Sequence, residues 1–183
     1  MDFTTVMSLL GKQFAREQVD YAVIGGFALG LLGIMRTTMD LDLLVNRQDL
    51  PRIDQILTTH SYRLRYRSEN VSQYVSDVKP FGSLDLLHAF RAHTRAMLRR
   101  ARKIALFEGT FQVPVVLPED LIGLKLQALH NNPRREVQDY ADIELLLEHC
   151  GPRLDWDLVR EYFDLFHLQE HFNRFVTNYG ATE

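Results

Sequence analysis

Residues 25–45 read GGFALGLLGIMRTTMDLDLLV, and two aspartates, Asp40 and Asp42, stand two apart inside its apolar end. The run TMDLDLLV has the composition of a buried strand, yet Asp is depleted in strands and neighbouring like charges repel. Side chains two apart on a strand point to the same face. Thr38, Asp40 and Asp42 are therefore expected on one face, with Met39, Leu41 and Leu43 packed on a core from the other. Two buried carboxylates cannot be left bare, so a cation is expected between them. Mg²⁺ (or Mn²⁺) meets that need, since Mg²⁺ favours one or two carboxylates together with substrate phosphates. Two such ions about 4 Å apart clamp the attacking and leaving oxygens of a phosphoryl transfer.

The same stretch begins with Gly25 and Gly26, between the apolar run YAVI and the short helical segment FALGLLG. A backbone without Cβ lets a phosphate approach, and a helix start offers unpaired N–H donors. Arg36, Thr37 and Thr38 add further phosphate contacts, which makes Gly25, Gly26, Arg36, Thr37 and Thr38 the candidate nucleotide-binding set. Alone, D-x-D describes an edge strand with acids facing water, and Gly-Gly an ordinary turn. The combination, with R-T-T between them, is far more specific.

Outward from this stretch, the chain is ordinary for a globular protein. It has 183 residues, 46% hydrophobic and 25% charged, with a net charge of −3, so global charge selects no class of partner. Its single cysteine, Cys150, excludes an internal disulfide and reads as a small buried hydrophobe. MDFTTVMSLLGKQF lacks the pattern of a signal peptide, and no apolar run reaches the ~20 residues of a membrane span. The expected compartment is cytoplasmic. Helical spacing covers 3–18, 48–60 and 91–103, and strands are expected at 21–26, 38–45, 62–67, 71–77, 83–88, 103–107 and 111–117. From Pro118 the pattern turns helical, with a break at Pro133, a helix to about Cys150, and two more near 154–165 and 167–178. The layout is an α/β half over 1–117 and an all-α half over 118–183.

G-G, a spacer and R-x-T-x-D-x-D at a strand start resemble motif I of the nucleotidyltransferase (polymerase β-like) superfamily. The resemblance implies a mixed sheet with flanking helices, and attack of an acceptor hydroxyl on the α-phosphate of a nucleoside triphosphate with release of pyrophosphate. Its two motif acids hold the metal, and a third comes from a later strand. That third acid falls on Asp85 in FGSLDLLHAF, with Asp77 as the alternative. The helical half, DLIGLKLQAL followed by RREVQDYADIELLL, resembles the AbiEii-type nucleotidyltransferase toxins of bacterial toxin–antitoxin systems, a group that includes the MenT enzymes. The family's helix Lys falls on Lys125, implying triphosphate contact. Its later Asp falls on Asp139, which would position the Lys or act as base. Gln138 stands where the family usually has a basic residue, with Arg134 and Arg135 earlier. Read from the residues alone, Lys125 lies among Leu121, Leu124, Ala128 and Leu129, so its ammonium needs a counter-charge or water. Asp142 shares a helix face with Asp139 and is an alternative to it.

Two basic stretches bear on the acceptor. Arg91, Arg95 and Arg99, with Arg102 or Lys103, line one face of a predicted helix. Arg63, Arg65 and Arg67 alternate along a predicted strand and are expected on one face. Either is a solvated surface or a phosphate-tracking surface for RNA such as a tRNA end. The seven histidines show no zinc-site spacing. The expectation is a metal-dependent nucleotidyltransferase with Asp40, Asp42, Asp85, Lys125 and Asp139 as catalytic residues. Its resemblance implies a toxin acting on tRNA or protein, with an antitoxin partner. The alternatives are an antibiotic-modifying small-molecule nucleotidyltransferase and a non-catalytic nucleotide-binding module.

Overall fold

The computed structural model describes residues 1–106, 109 and 111–180. The chain divides into two compact units, Met1–Val116 and Leu117–Glu183.

In the first unit, α1 (Phe3–Arg16) is capped by Asp2, whose carboxylate accepts from Thr5 N. It leads into β1 (Tyr21–Ile24), α2 (Gly25–Leu31), β2 (Leu41–Asn46) and α3 (Leu50–Thr59). Then follow β3 (Arg63–Arg67), β4 (Val71–Val75), β5 (Ser83–Ala89), α4 (Ala92–Arg100), β6 (Arg102–Leu106) and β7 (Phe111–Val115). The seven strands of the described residues form one sheet in the order β3-β4-β5-β2-β1-β7-β6. It is mixed: β2 runs parallel to β5 and β1 parallel to β7, while the remaining neighbours are antiparallel. Leu41, Leu43, Leu84 and Leu86 are fully buried. Asp42 and Asp85, between them in the chain, lie on the half-buried face.

Two expectations change here. β2 begins only at Leu41, so strand alternation does not reach back to Thr38, and Met39 is 77% exposed instead of packed on the core. Arg102 and Lys103 belong to β6 and not to the basic helix, which ends at Arg100.

The larger change is on β3. Its pairing with β4 runs Leu64↔Tyr74 and then Tyr66↔Gln73, so one residue is inserted between them. A bulge of this kind puts two residues opposite one and reverses the later alternation. Arg67 consequently pairs in register with Ser72, on the buried face, whereas Arg63 pairs with Val75 on the other. The three arginines do not share a face. Arg67 donates to both oxygens of Asp54 on α3 at 2.9 and 2.7 Å and through Nε to Ser72 Oγ at 2.8 Å. Tyr74 joins through its hydroxyl to Asp54 and Arg67. His88 completes the chain, with Nε2 2.8 Å from Ser72 Oγ and Nδ1 2.9 Å from the Glu69 carbonyl. A carbonyl only accepts, so Nδ1 carries the proton and Nε2 accepts from the serine.

The second unit holds α5 (Pro118–Asn131), α6 (Glu136–Cys150), α7 (Trp156–Leu165) and α8 (Gln169–Tyr179). Its core is Leu121, Ile122, Leu126, Ile143, Leu146, Val159, Phe163 and Phe175. The acids of the first turn of α5 have internal partners: Asp120 accepts from the Tyr162 hydroxyl at 2.7 Å, and Glu119 accepts from Asp155 N at 2.8 Å. Cys150 is buried, and burial pushes its thiol pKa up. No helix of the described residues is long and apolar enough to cross a membrane.

Burial holds the His88 pKa below its ordinary 6.5. The unfolded chain therefore takes up a proton first as pH falls, and the native state loses stability below about pH 6.5. Thermal melts from pH 7.5 to 5 should show this fall, and His88→Gln should flatten it relative to the wild type. Arg67→Ala, which leaves Asp54 and Ser72 short of a donor, should lower stability by about 1–3 kcal/mol in urea unfolding.

Candidate active site

The register of the sheet assembles the acids. Asp42 on β2 pairs with Asp85 on β5 across a parallel ladder, and Asp85 pairs in turn with Gln73 on β4. Residues in register on neighbouring strands point the same way at about 4.8 Å strand spacing. Burial raises the pKa of the Asp85 carboxyl and the charge of Asp40 pushes it further the same way; the Gln73 hydrogen bond and the charge of Arg65 act against the rise. Gln73 Nε2 donates to Asp85 Oδ2 at 3.3 Å. Asp40 lies just before β2 and is exposed. Thr38 Oγ1 donates to the Asp40 carbonyl at 3.1 Å and shapes the loop that carries it.

The two glycines have a steric reason. Gly25 has φ +67°, and a Cβ there would lie 2.0 Å from Asp42 Oδ2. A Cβ on Gly26 would lie 2.9 Å from Thr38 Cβ. The bare backbone at the start of α2 thus makes room for the motif loop and for the strand acid. Arg36 Nη1 donates to the Thr37 carbonyl at 3.3 Å. Gly33, with φ +91°, follows the end of α2 in the left-handed conformation that favours glycine.

The donor chemistry suits a divalent cation: hard carboxylate oxygens whose mutual repulsion a positive ion would relieve. Among the described residues, no three His, Cys, Asp or Glu side chains are gathered into a ready metal-binding group. Asp42 and Asp85 are in register, and Asp40 sits on the neighbouring loop. Asp77 is exposed and 3.6 Å from Arg63, away from this row.

In the helical unit, Lys125 Nζ lies 2.9 Å from Asp139 Oδ1 and 2.5 Å from Asp142 Oδ2. Asp139 and Asp142 both serve the lysine, as partners and not as alternatives. Arg135 Nε donates to Asp139 Oδ2 at 2.9 Å from one turn earlier, supplying the basic neighbour that Gln138 does not. Burial alone would raise the Asp139 pKa, but the hydrogen bonds of Arg135 and Lys125 hold it below the usual carboxylate range. The sequence already carried this signal in the i, i+3 and i, i+4 spacings of Arg135, Asp139 and Asp142. His167 lies in the turn between α7 and α8, and His171 stacks on Tyr140 at 5.4 Å.

A mixed sheet with acids at β2 and β5 and a glycine turn after β1 defines a class. The solution structure of the antibiotic-resistance factor ANT(2'')-Ia superposes with a TM-score of 0.65 at 17% identity, covering 95% of this chain and 100% of that one. An antigenic nucleotidyltransferase-like protein from Paracoccidioides brasiliensis gives 0.60 at 18%, over 99% and 94%. The lincosamide antibiotic adenylyltransferase LnuA gives 0.53 at 15%, over 78% and 94%. The fold is that of the nucleotidyltransferases. No curated protein matches the chain. The family model "Nucleotidyl transferase AbiEii toxin, Type IV TA system" matches residues 9–176. The chain belongs to the AbiEii nucleotidyltransferase family, and its activity is nucleotidyl transfer.

Lys125→Met leaves two buried carboxylates short of a cation and should cost about 3–5 kcal/mol in urea unfolding. Gly25→Ala must both move Asp42 and strain the backbone. It should reduce nucleotidyl transfer more strongly than it lowers the melting temperature, and an unchanged rate would contradict the steric account.

Proposed function

We propose that the chain transfers a nucleoside monophosphate from a nucleoside triphosphate to an acceptor hydroxyl, as the toxin of a type IV-like toxin–antitoxin pair. The observation that carries this reading is the register of Asp42 with Asp85, beside Asp40 and under a glycine turn cleared for Asp42. Asp40, Asp42 and Asp85 are the residues we assign to Mg²⁺ (or Mn²⁺), which when bound would polarise the phosphoryl oxygens and offset the charge of the leaving pyrophosphate. The acceptor oxygen attacks the α-phosphorus, the bond from that phosphorus to the bridging oxygen of pyrophosphate breaks, and the hydroxyl proton passes to Asp85. Gly25, Gly26, Arg36, Thr37 and Thr38 are assigned to the phosphates. Lys125, positioned by Asp139 and Asp142, is the helical unit's candidate for triphosphate contact.

For the acceptor we favour a macromolecule, tRNA or protein. Arg91, at the N-cap of α4, and Arg95 and Arg99 within it are all exposed, which supports a phosphate-tracking surface. A small-molecule acceptor is the second reading, favoured by the near-complete coverage of the antibiotic-resistance factor by a chain of this size.

Incubation with Mg²⁺, each α-labelled nucleoside triphosphate and total RNA or lysate should label RNA or protein. Label on an added antibiotic would favour the second reading, and binding of nucleotide without any transfer would contradict catalysis. Asp42→Ala should lower transfer by roughly 100-fold or more with the fold intact; full activity would overturn the site. Charge reversal at Arg91, Arg95 and Arg99 should weaken RNA binding and reduce its salt slope by about one per lost phosphate contact.

A further inference from the structure

The bulge in β3 has an effect on the site face of the sheet as well as on the buried one. Two residues, Arg65 and Tyr66, stand opposite Gln73, because Leu64 pairs with Tyr74 and Tyr66 with Gln73. Gln73 is in register with Asp85, and Asp85 with Asp42. One row therefore crosses the sheet from the central carboxylates to its outer edge: Asp42, Asp85, Gln73, then Tyr66 with Arg65. Bulges of this kind re-aim side chains and recur beside active sites. Without the inserted residue, Tyr66 would pair with Ser72 and face the buried side. The charge of Arg65 is felt at the Asp85 carboxyl, where it opposes the rise imposed by burial.

Both bulge residues are open to solvent. Tyr66 is 52% exposed, and Arg65 is exposed beside it. An exposed aromatic ring next to a cation, at the rim of a site that consumes a hydroxyl, matches the needs of a single-stranded nucleic acid. Bases stack on an aromatic face whatever their sequence, and a guanidinium holds the adjoining phosphate. β3 is also the edge of the sheet, so nothing from the sheet itself covers the ring. An extended peptide adding to this edge would meet a ladder broken by the bulge, which disfavours strand addition.

We propose that Arg65 and Tyr66 form an acceptor subsite for the single-stranded 3′ end of an RNA, with Tyr66 stacking on a base and Arg65 holding a phosphate. Two strand steps separate Tyr66 from Asp85, roughly 10 Å. A few nucleotides of single strand span that distance, so its terminal hydroxyl arrives at the acid we assign as base. The inference rests on the nucleotidyl-transfer reading and narrows its acceptor to RNA. Gln73 is the residue between the two ends of the track, and its hydrogen bond fixes one oxygen of Asp85.

The test is fluorescence anisotropy of the full chain with a short RNA of about ten nucleotides bearing a free 3′ hydroxyl, in Ca²⁺ so that no transfer intervenes. Tyr66→Ala should weaken binding roughly 5-fold or more, and Tyr66→Phe should restore it because the stacking face is kept. Arg65→Ala should lower the salt slope by about one, and the double variant should lose roughly 20-fold or more. Lys12→Ala, on the exposed face of α1, should leave binding unchanged. Full RNA affinity in the double variant, equal losses in the Phe and Ala variants, or a wild-type chain that does not bind the RNA would each overturn the subsite. Binding of a fluorescent nucleoside triphosphate and release of pyrophosphate, measured on the same preparations, report on the transfer reading separately. Their absence in the wild type would sink that reading, whereas their persistence in an Arg65/Tyr66 variant that still binds RNA would sink only the subsite.

Discussion

Two carboxylates held in register on adjacent parallel strands are a standing electrostatic cost, and the first unit is arranged around it. Asp42 and Asp85 cannot separate without shifting β2 against β5, and that ladder is locked by Leu41, Leu43, Leu84 and Leu86, all fully buried on the opposite face. The core therefore holds the repulsion in place. Burial makes it worse for Asp85, and Asp40 adds to it. A cation bound there would relieve that repulsion, which is why the stability of the sheet and the chemistry proposed for it depend on the same two strands.

The neighbouring devices follow from the same constraint. Gly25 has no Cβ because Asp42 occupies that space, and Gly26 has none because Thr38 does. Gln73 steadies Asp85 from the next strand. The helical unit also buries acids, Asp139 and Asp142, and Lys125 supplies their cation, with Arg135 behind it. That unit compensates its carboxylates internally.

Much of this was legible in the sequence because it is local. Asp40 and Asp42 two apart, the Gly-Gly turn, and Lys125 on an apolar helix are each visible within a few residues, and the order of strands and helices followed from periodicity. What sequence could not show depends on pairing between distant segments. The bulge at Leu64–Tyr66 exists only against β4, so the alternation of Arg63, Arg65 and Arg67 pointed to a shared face that the register divides. Alternation over TMDLDLLV points Met39 to the core, but the strand begins only at Leu41, after the loop that the hydrogen bond from Thr38 to Asp40 shapes. The Arg67–Ser72–His88 chain joins three segments and carries no motif. The steric role of Gly25 needs Asp42 brought back across β1.

The most direct measurement of the central claim is the melting temperature of wild type and Asp85→Asn at neutral pH, with and without Mg²⁺ or Mn²⁺. Because the native fold raises the Asp85 pKa, the ionised group costs stability above its unfolded-state value of 3.8. Without metal, the neutral amide should melt higher than the carboxylate at pH 7, and the difference should close as pH falls toward 3.8. Added metal should stabilise the wild type and leave Asp85→Asn nearly unmoved. A variant less stable than wild type without metal, together with a wild type that gains nothing from either ion, would contradict the account.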